Sequence, residues 1–282
     1  MAVERISRPP MRRRPEQLAL SQAALLGLLH GPAELLPISS SGHVTLIPWL
    51  LGWRYAELDA ELRKAFEVAL HAGTAAALLI ALRDEVGEAA LDLDRRRIEL
   101  IAYSFAPPAL CALAFERPIE RRLGTPATIA AGLLAGSVLM LVADRAPQTR
   151  RREDSGAVDA LWLGLAQASA LMPGVSRNGA TLAAARLRGF DRADANALSR
   201  HVALPIITAA GALKGWRLAR RGLPPRTGAA FAIGTACAFA STLASTWLIR
   251  QVERDRSLAP YAAYRMVLAA VVIRRLRDNR RR

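Results

Sequence analysis

Leu36-Pro37-Ile38-Ser39-Ser40-Ser41-Gly42-His43 and Met172-Pro173-Gly174-Val175-Ser176-Arg177-Asn178-Gly179-Ala180-Thr181 are the two stretches that decide the fold. They align with one gap, Ser39 on Ser176 and Gly42 on Gly179. Each lies between two apolar stretches too short or too interrupted to cross a bilayer, 18–36 with 43–53 and 157–172 with 179–189. After the first come three longer apolar segments, 65–82, 98–115 and 126–143; after the second come 198–216, 227–249 and 260–274. All six are of about spanning length. Hydrocarbon offers the backbone no hydrogen-bond partner, and the alternating pattern of a membrane barrel is missing, so the segments are expected to be helical.

The chain therefore reads as two repeats. Three full crossings per repeat is an odd number, which places the second copy upside down in the membrane. In such folds broken helices from the two halves meet near the midplane and form a site. The expected fold is an all-α integral membrane protein, an inverted-topology repeat of six transmembrane helices plus two re-entrant helix pairs. A single membrane domain, 18–274, would consist of the repeats 18–145 and 157–274. A basic, disordered tail is expected at 1–17 and a basic C-terminal tail at 275–282.

Composition agrees with a membrane location. The 282 residues are 52% hydrophobic and carry 39 Lys and Arg against 24 Asp and Glu, a formal net charge of +15. Such a balance suits nucleic acid or an anionic membrane, and distribution chooses between them. Here the Arg clusters fall between long apolar runs, so no nucleic acid is expected. Mean hydropathy is only +0.17, because it averages Arg-rich connections with stretches such as Phe231 to Ile249, which holds no charged side chain. Lys and Arg favour the cytoplasmic side when both ends of the chain are placed inside. The two cysteines, Cys111 and Cys237, each lie in an apolar stretch and read as packing residues, with neither a disulfide framework nor a CxxC metal site.

The chemistry concentrates in the two turns. Glu34, Ser39, Ser40, Ser41 and His43 fall within ten residues, and the second turn supplies Ser176, Arg177, Asn178 and Thr181. A centred charge costs about 2.5–3.5 kcal/mol on insertion scales, so such clustering needs a reason. The set suits phosphate: Arg is a planar bidentate donor, hydroxyls and backbone N–H groups complete a cradle, and neither turn is a GxxxxGK[ST] nucleotide loop. Histidine can attack phosphorus or move protons, and a carboxylate can orient it or hold a cation. Hydrolysis of a phosphoanhydride is the natural reaction class. A Ser/Gly/Pro run alone is most often only a turn. His30 and His71 read as packing or hydrogen-bonding residues, and Arg265 beside Tyr264 as an interfacial anchor.

Glu34-Leu35-Leu36-Pro37-Ile38-Ser39-Ser40-Ser41-Gly42-His43 resembles the EFLPxSSxGH signature of the bacitracin-resistance type of undecaprenyl-diphosphatase. Pro173 to Thr181 resembles that family's PGxSRSGAT, with Asn178 in place of the usual serine. The similarity runs from about residue 18 to 274, through Phe66-Glu67-Val68, His71-Ala72-Gly73-Thr74, Leu204-Pro205 and Tyr261 to Arg265. It implies a multi-pass bacterial plasma-membrane hydrolase that converts undecaprenyl diphosphate to the monophosphate, recycling the lipid carrier for envelope synthesis. It also implies membrane lipids as surroundings, a divalent cation, usually magnesium or calcium, and a homodimer.

On this resemblance Glu34, Ser40, His43 and Arg177 are the catalytic positions. Ser39, Ser41, Ser176, Asn178 and Thr181 bind substrate, and Glu34 is a metal ligand. The nucleophile stays open between His43, Ser40 and water. One departure matters. The family usually has an acidic or amide residue four positions before the glutamate, and here that position is His30, on the same helical face as Glu34. Two rival readings share the architecture: a polyprenyl-phosphate transporter or flippase, which needs no nucleophile, and an inactive paralogue that binds the carrier.

Overall fold

In the computed structural model the described residues are 18–91, 95–222, 227–254 and 257–281. Among them the chain is helical without a strand. The first broken pair is α1 (Leu20–Leu35) and α2 (Ser40–Leu51), and the second is α7 (Ala157–Ser169) and α8 (Arg177–Leu187). Between the pairs run α3 (Ala60–Ala81), α4 (Arg83–Leu91), α5 (Arg95–Leu123) and α6 (Pro126–Ala143). After the second pair come α9 (Arg192–Arg221), α10 (Gly228–Ala244), α11 (Trp247–Arg254) and α12 (Ala259–Arg281).

Local chemistry sets the helix starts. Asp59 accepts from the Glu61 and Leu62 amides to open α3. Thr125 and Thr128 form a capping box before α6, with Pro126 at its first position, where a missing N–H costs nothing. Ser176 accepts from the Gly179 amide at the start of α8, satisfying one of the orphan donors of a helix end.

The expected spans lie within α3, α5, α6, α9 and α12, with one difference. The stretch 227–249 is not one helix: α10 ends at Ala244 and the chain bends by 50° into α11. The cause lies in the hydroxyls at the bend. Thr242 Oγ1 donates to Ala238 O at 2.7 Å and Thr246 Oγ1 to Leu243 O at 3.0 Å, while the Ser245 amide is shared between Ser241 O and Thr242 O. Such side-chain bonds compete with the helical ladder and bend it. Arg250, Glu253 and Arg254 then make α11 a short polar helix. Among the described residues α3, α5 and α6 are each long and apolar enough to cross a membrane, and α10 with α11 joins them if the bent pair is one span. α9 and α12 are also long but more charged. α12 continues as helix to Arg281, through most of the stretch expected as a basic C-terminal tail; the tail expected at 1–17 lies outside the described residues.

Packing is reciprocal, as an inverted repeat requires. α1 packs most extensively on α10, α7 on α5, and α6 on α12. The helix opening each half thus rests on a long helix of the other. Close approach makes this possible: a Cβ on Gly31 of α1 would stand 2.3 Å from Ser241 Oγ, and one on Gly174 would stand 2.2 Å from Ile129 O of α6. Gly174 also has φ of 92°, which favours glycine at the second turn.

The outer surface is apolar. Leu110, Leu113, Val138, Leu165, Val267 and Val271 are exposed, while His30, His43, Thr74, Gln167, Thr181 and Arg265 are buried. That inversion of the water-soluble pattern is what a bilayer imposes on a bundle with an internal polar site.

Candidate functional site

The site forms where the two turns meet. Glu34 is in the last turn of α1, and Ser40 begins α2 after a non-helical Leu36–Ser39 link. Pro37 cannot extend α1, because it lacks an amide and disfavours helix at the residue before it. The link folds Ser40 back so that its hydroxyl donates to Glu34 Oε2. From the other repeat Arg177, the first residue of α8, donates to Glu34 Oε1 at 2.8 Å. Asn178 Nδ2 donates to Leu35 O at 2.9 Å and binds the second turn to the end of α1.

Ser39 carries the strain of the first turn. Its φ is 78°, the positive value found at no other non-glycine among the described residues, and its buried Oγ has no hydrogen-bond partner. Strain and an unsatisfied polar atom at one residue commonly mark a binding position.

His43 stands apart from the Glu34 cluster in its bonding. Its Nδ1 meets Ser39 O at 2.7 Å and its Nε2 meets the Tyr264 hydroxyl at 2.8 Å, with the two rings stacked at 5.6 Å between centroids. Neither ring nitrogen bonds Glu34 or Ser40. Ser176 is a helix cap, and Thr181 bonds Arg177 O, Asn178 O and Ser199 Oγ. Both therefore hold the second turn together. Ser41, half-buried, takes no part in these contacts.

Two residues read otherwise from sequence belong to the site. Arg265 is fully buried and is no interfacial anchor. Its guanidinium donates to Pro37 O of the first turn and Gly174 O of the second, both at 3.1 Å, and to Leu133 O of α6 at 3.2 Å. Gly136 makes room, since a Cβ there would lie 2.2 Å from an Arg265 nitrogen. His71 of α3 points Nε2 at Glu34 Oε2, 3.7 Å away, and its ring meets that of His30 edge-on at 4.5 Å. A lone polar residue in an apolar span carries no local mark of such a partner; the one available signal was that His30, Glu34 and His71 are all costly at membrane depth.

A cleft of about 70 Å³ reaches this cluster. Glu34, Arg177, Asn178 and Arg200 supply polar groups to its lining, and Leu78 and Ile207 are among its apolar residues. Arg200 is tied to Glu253 and, at 3.3 Å, to Glu85.

Fold and site together define a multi-pass, all-helical membrane protein with a half-buried carboxylate and guanidinium and a buried hydroxyl at the junction of two broken helices. The family model described as Bacitracin resistance protein BacA matches residues 23–271, and the chain belongs to that family. It is 36% identical over 269 residues to the undecaprenyl-diphosphatase of Geobacter sulfurreducens, covering 90% of this chain and 97% of that one. It is similarly 36% identical to that of Pelobacter propionicus over 90% of this chain and 96% of the other. The enzyme of Rubrobacter xylanophilus is 35% identical, with 90% and 97% covered.

Proposed function

We propose that this protein hydrolyses undecaprenyl diphosphate to undecaprenyl phosphate and inorganic phosphate, recycling the lipid carrier for peptidoglycan and other envelope polymers and thereby conferring bacitracin resistance. The observation that carries the reading is the Ser40–Glu34–Arg177 contact, a hydroxyl and a guanidinium on the two oxygens of one half-buried carboxylate. The activity for which the relatives are named supports it.

The same contact favours Ser40 as nucleophile. Glu34 is placed to take the hydroxyl proton as Ser40 Oγ attacks the terminal phosphorus. The bond to the bridging oxygen breaks, and undecaprenyl phosphate leaves with that proton, which its bridging oxygen takes from Glu34. Water then attacks the phosphoserine, its proton passes to the freed Glu34 carboxylate, and Ser40 Oγ departs and recovers that proton from Glu34, releasing phosphate. Arg177 shifts from Glu34 to the phosphoryl oxygens, where planar donors stabilise developing charge. Ser39 Oγ and the amides opening α2 complete the cradle, and His43 orients the first turn through Ser39 O. The first isoprene units lie against the apolar walls of the cleft.

A divalent cation, magnesium or calcium, is part of the family expectation. Glu34 would be its one carboxylate ligand, with water and diphosphate oxygens for the rest. The imidazoles of His30 and His71 beside that carboxylate do not fit those ions, which select oxygen, so no step above passes through a metal. A homodimer belongs to the same proposal.

The test is phosphate release from undecaprenyl diphosphate by purified protein in detergent, beside Ser40→Ala and His43→Ala variants of unchanged melting behaviour. Release abolished by Ser40→Ala, with a phosphoserine trapped by rapid quench in the wild type, is the expected result. No release by well-folded protein would overturn the hydrolase and favour a carrier-binding or translocating role.

A further inference from the structure

His30, Glu34 and His71 each offer one ligand atom, and these atoms all lie within 4.8 Å of one another. We infer that this trio binds a borderline transition-metal cation of the zinc or cobalt class, and that the resident cation is not magnesium or calcium. The inference rests on the reading of Glu34 as part of a phosphatase site, yet concerns metal binding in the absence of substrate.

The ring protons give the first argument. His71 Nδ1 lies 2.8 Å from Glu67 O, and a carbonyl only accepts, so Nδ1 carries the hydrogen. The neutral ring therefore presents a bare lone pair on Nε2, the atom facing Glu34. His30 Nδ1 is likewise spent on a partner, the Thr74 hydroxyl at 2.9 Å, a group that can accept from the ring or donate to it. A metal-binding histidine characteristically spends its second nitrogen on such a partner, which fixes tautomer and ring orientation.

The second argument is an orphaned atom. His30 is fully buried, and its Nε2 has no hydrogen-bond partner. Leaving a buried polar atom unpaired costs about 1–3 kcal/mol, and a cation between the two rings and the carboxylate would satisfy it. Ser40 occupies one lone pair of Glu34 Oε2, which leaves a second one for the metal.

Spacing and donor type supply the third. Ligands about 2.0–2.1 Å from a tetrahedral ion stand about 3.3 Å apart, so the 3.7 Å between His71 Nε2 and Glu34 Oε2 closes with a small side-chain adjustment. Two imidazoles and one carboxylate, with a fourth position left open, form a donor set for zinc and its neighbours. Magnesium demands near-octahedral oxygen.

The experiment uses full-length protein stripped with chelator in detergent. Cobalt is titrated in and its visible d–d absorption followed, then zinc or magnesium is added in competition. The expected result is a tetrahedral-type cobalt spectrum that equimolar zinc abolishes and a thousandfold excess of magnesium leaves in place. His30→Ala and His71→Ala each weaken binding by at least about 100-fold, whereas His201→Ala, at a residue of α9 outside the trio, leaves binding as in wild type. His30→Glu keeps the fold and lowers the preference for zinc over magnesium. Magnesium competing at parity, or wild-type cobalt binding in both His30→Ala and His71→Ala, would overturn the inference. Phosphate release from the same preparations is scored separately, so a hydrolase without this metal and a metal protein without hydrolysis give different results.

Discussion

Arg177 donates to Glu34 at 2.8 Å across 143 positions of the chain. Glu34 lies just before the first turn and Arg177 at the end of the second, so this ion pair joins the halves at the point where chemistry is proposed. Taking two charges out of water is expensive, and a lone remaining partner costs more than the pair. The pair is therefore poor evidence of stability and good evidence of use: a phosphoryl group is the anion that can displace Glu34 from Arg177 and restore the balance.

Arg177→Lys separates charge from geometry. The ammonium keeps the ion pair but loses the planar fork, so the melting midpoint in detergent should stay within a few degrees of wild type. Turnover of undecaprenyl diphosphate should fall by about 100-fold or more, the scale of losing one oriented transition-state donor. A lysine variant with wild-type turnover would mean that only the charge matters.

Arg265 tests a positioning role. Its donors reach Pro37 O and Gly174 O, and neither residue is in a helix, so neither carbonyl has a helical amide to fall back on. Hydrogen bonds from a charged group contribute about 1.5–3 kcal/mol each, so Arg265→Met should destabilise the protein by about 3 kcal/mol or more. Because both turns loosen together, kcat should drop further than KM rises, and Arg265→Lys, which reaches one turn at a time, should recover part of the loss. Unchanged kcat with lowered stability would confine Arg265 to packing.

The turns were legible in the sequence because proline, glycine and serine act locally: Pro37 stops α1, Ser176 caps α8 and Gly174 accepts a positive φ. What joins them was not. Arg265 looked like an interface residue because its carbonyl partners are far away in the chain and carry no side-chain signature. His71 looked like packing for the same reason, its carboxylate partner lying on another helix. The break after Ala244 was hidden because Ser241, Thr242, Ser245 and Thr246 read as tolerable residues of a span, and only their bonds to the backbone reveal a bend.

Away from the spanning helices, Asp159 at the start of α7 accepts from Arg150 at 2.9 and 2.8 Å and from Arg188 at 2.7 Å. Burial pushes its carboxyl up, but those hydrogen bonds outweigh it and hold the value down at about 2 from the ordinary 3.8. A depressed carboxyl stabilises the folded state fully above its unfolded value and loses that contribution as pH falls through the folded one. Asp159→Asn should therefore lower the melting midpoint at pH 5 and above by a constant amount. The gap should narrow as pH falls from about 4 to 2. A gap independent of pH would show that Asp159 acts by shape alone.

Ser39 sets stability against function. Its hydroxyl is buried without a partner, and removing an unsatisfied polar atom costs the folded state nothing; by the desolvation of that atom it returns up to about 1–3 kcal/mol. Ser39→Ala keeps the backbone strained at φ 78°, so the comparison isolates the oxygen. The variant should melt no lower than wild type, and higher if the oxygen stays dry. In the proposed reaction that oxygen bonds the diphosphate, a contact worth about 1.5–3 kcal/mol when the acceptor is charged, so KM should rise by at least about tenfold. A lower midpoint with unchanged KM would mean that the hydroxyl serves the fold instead, satisfied by an internal water.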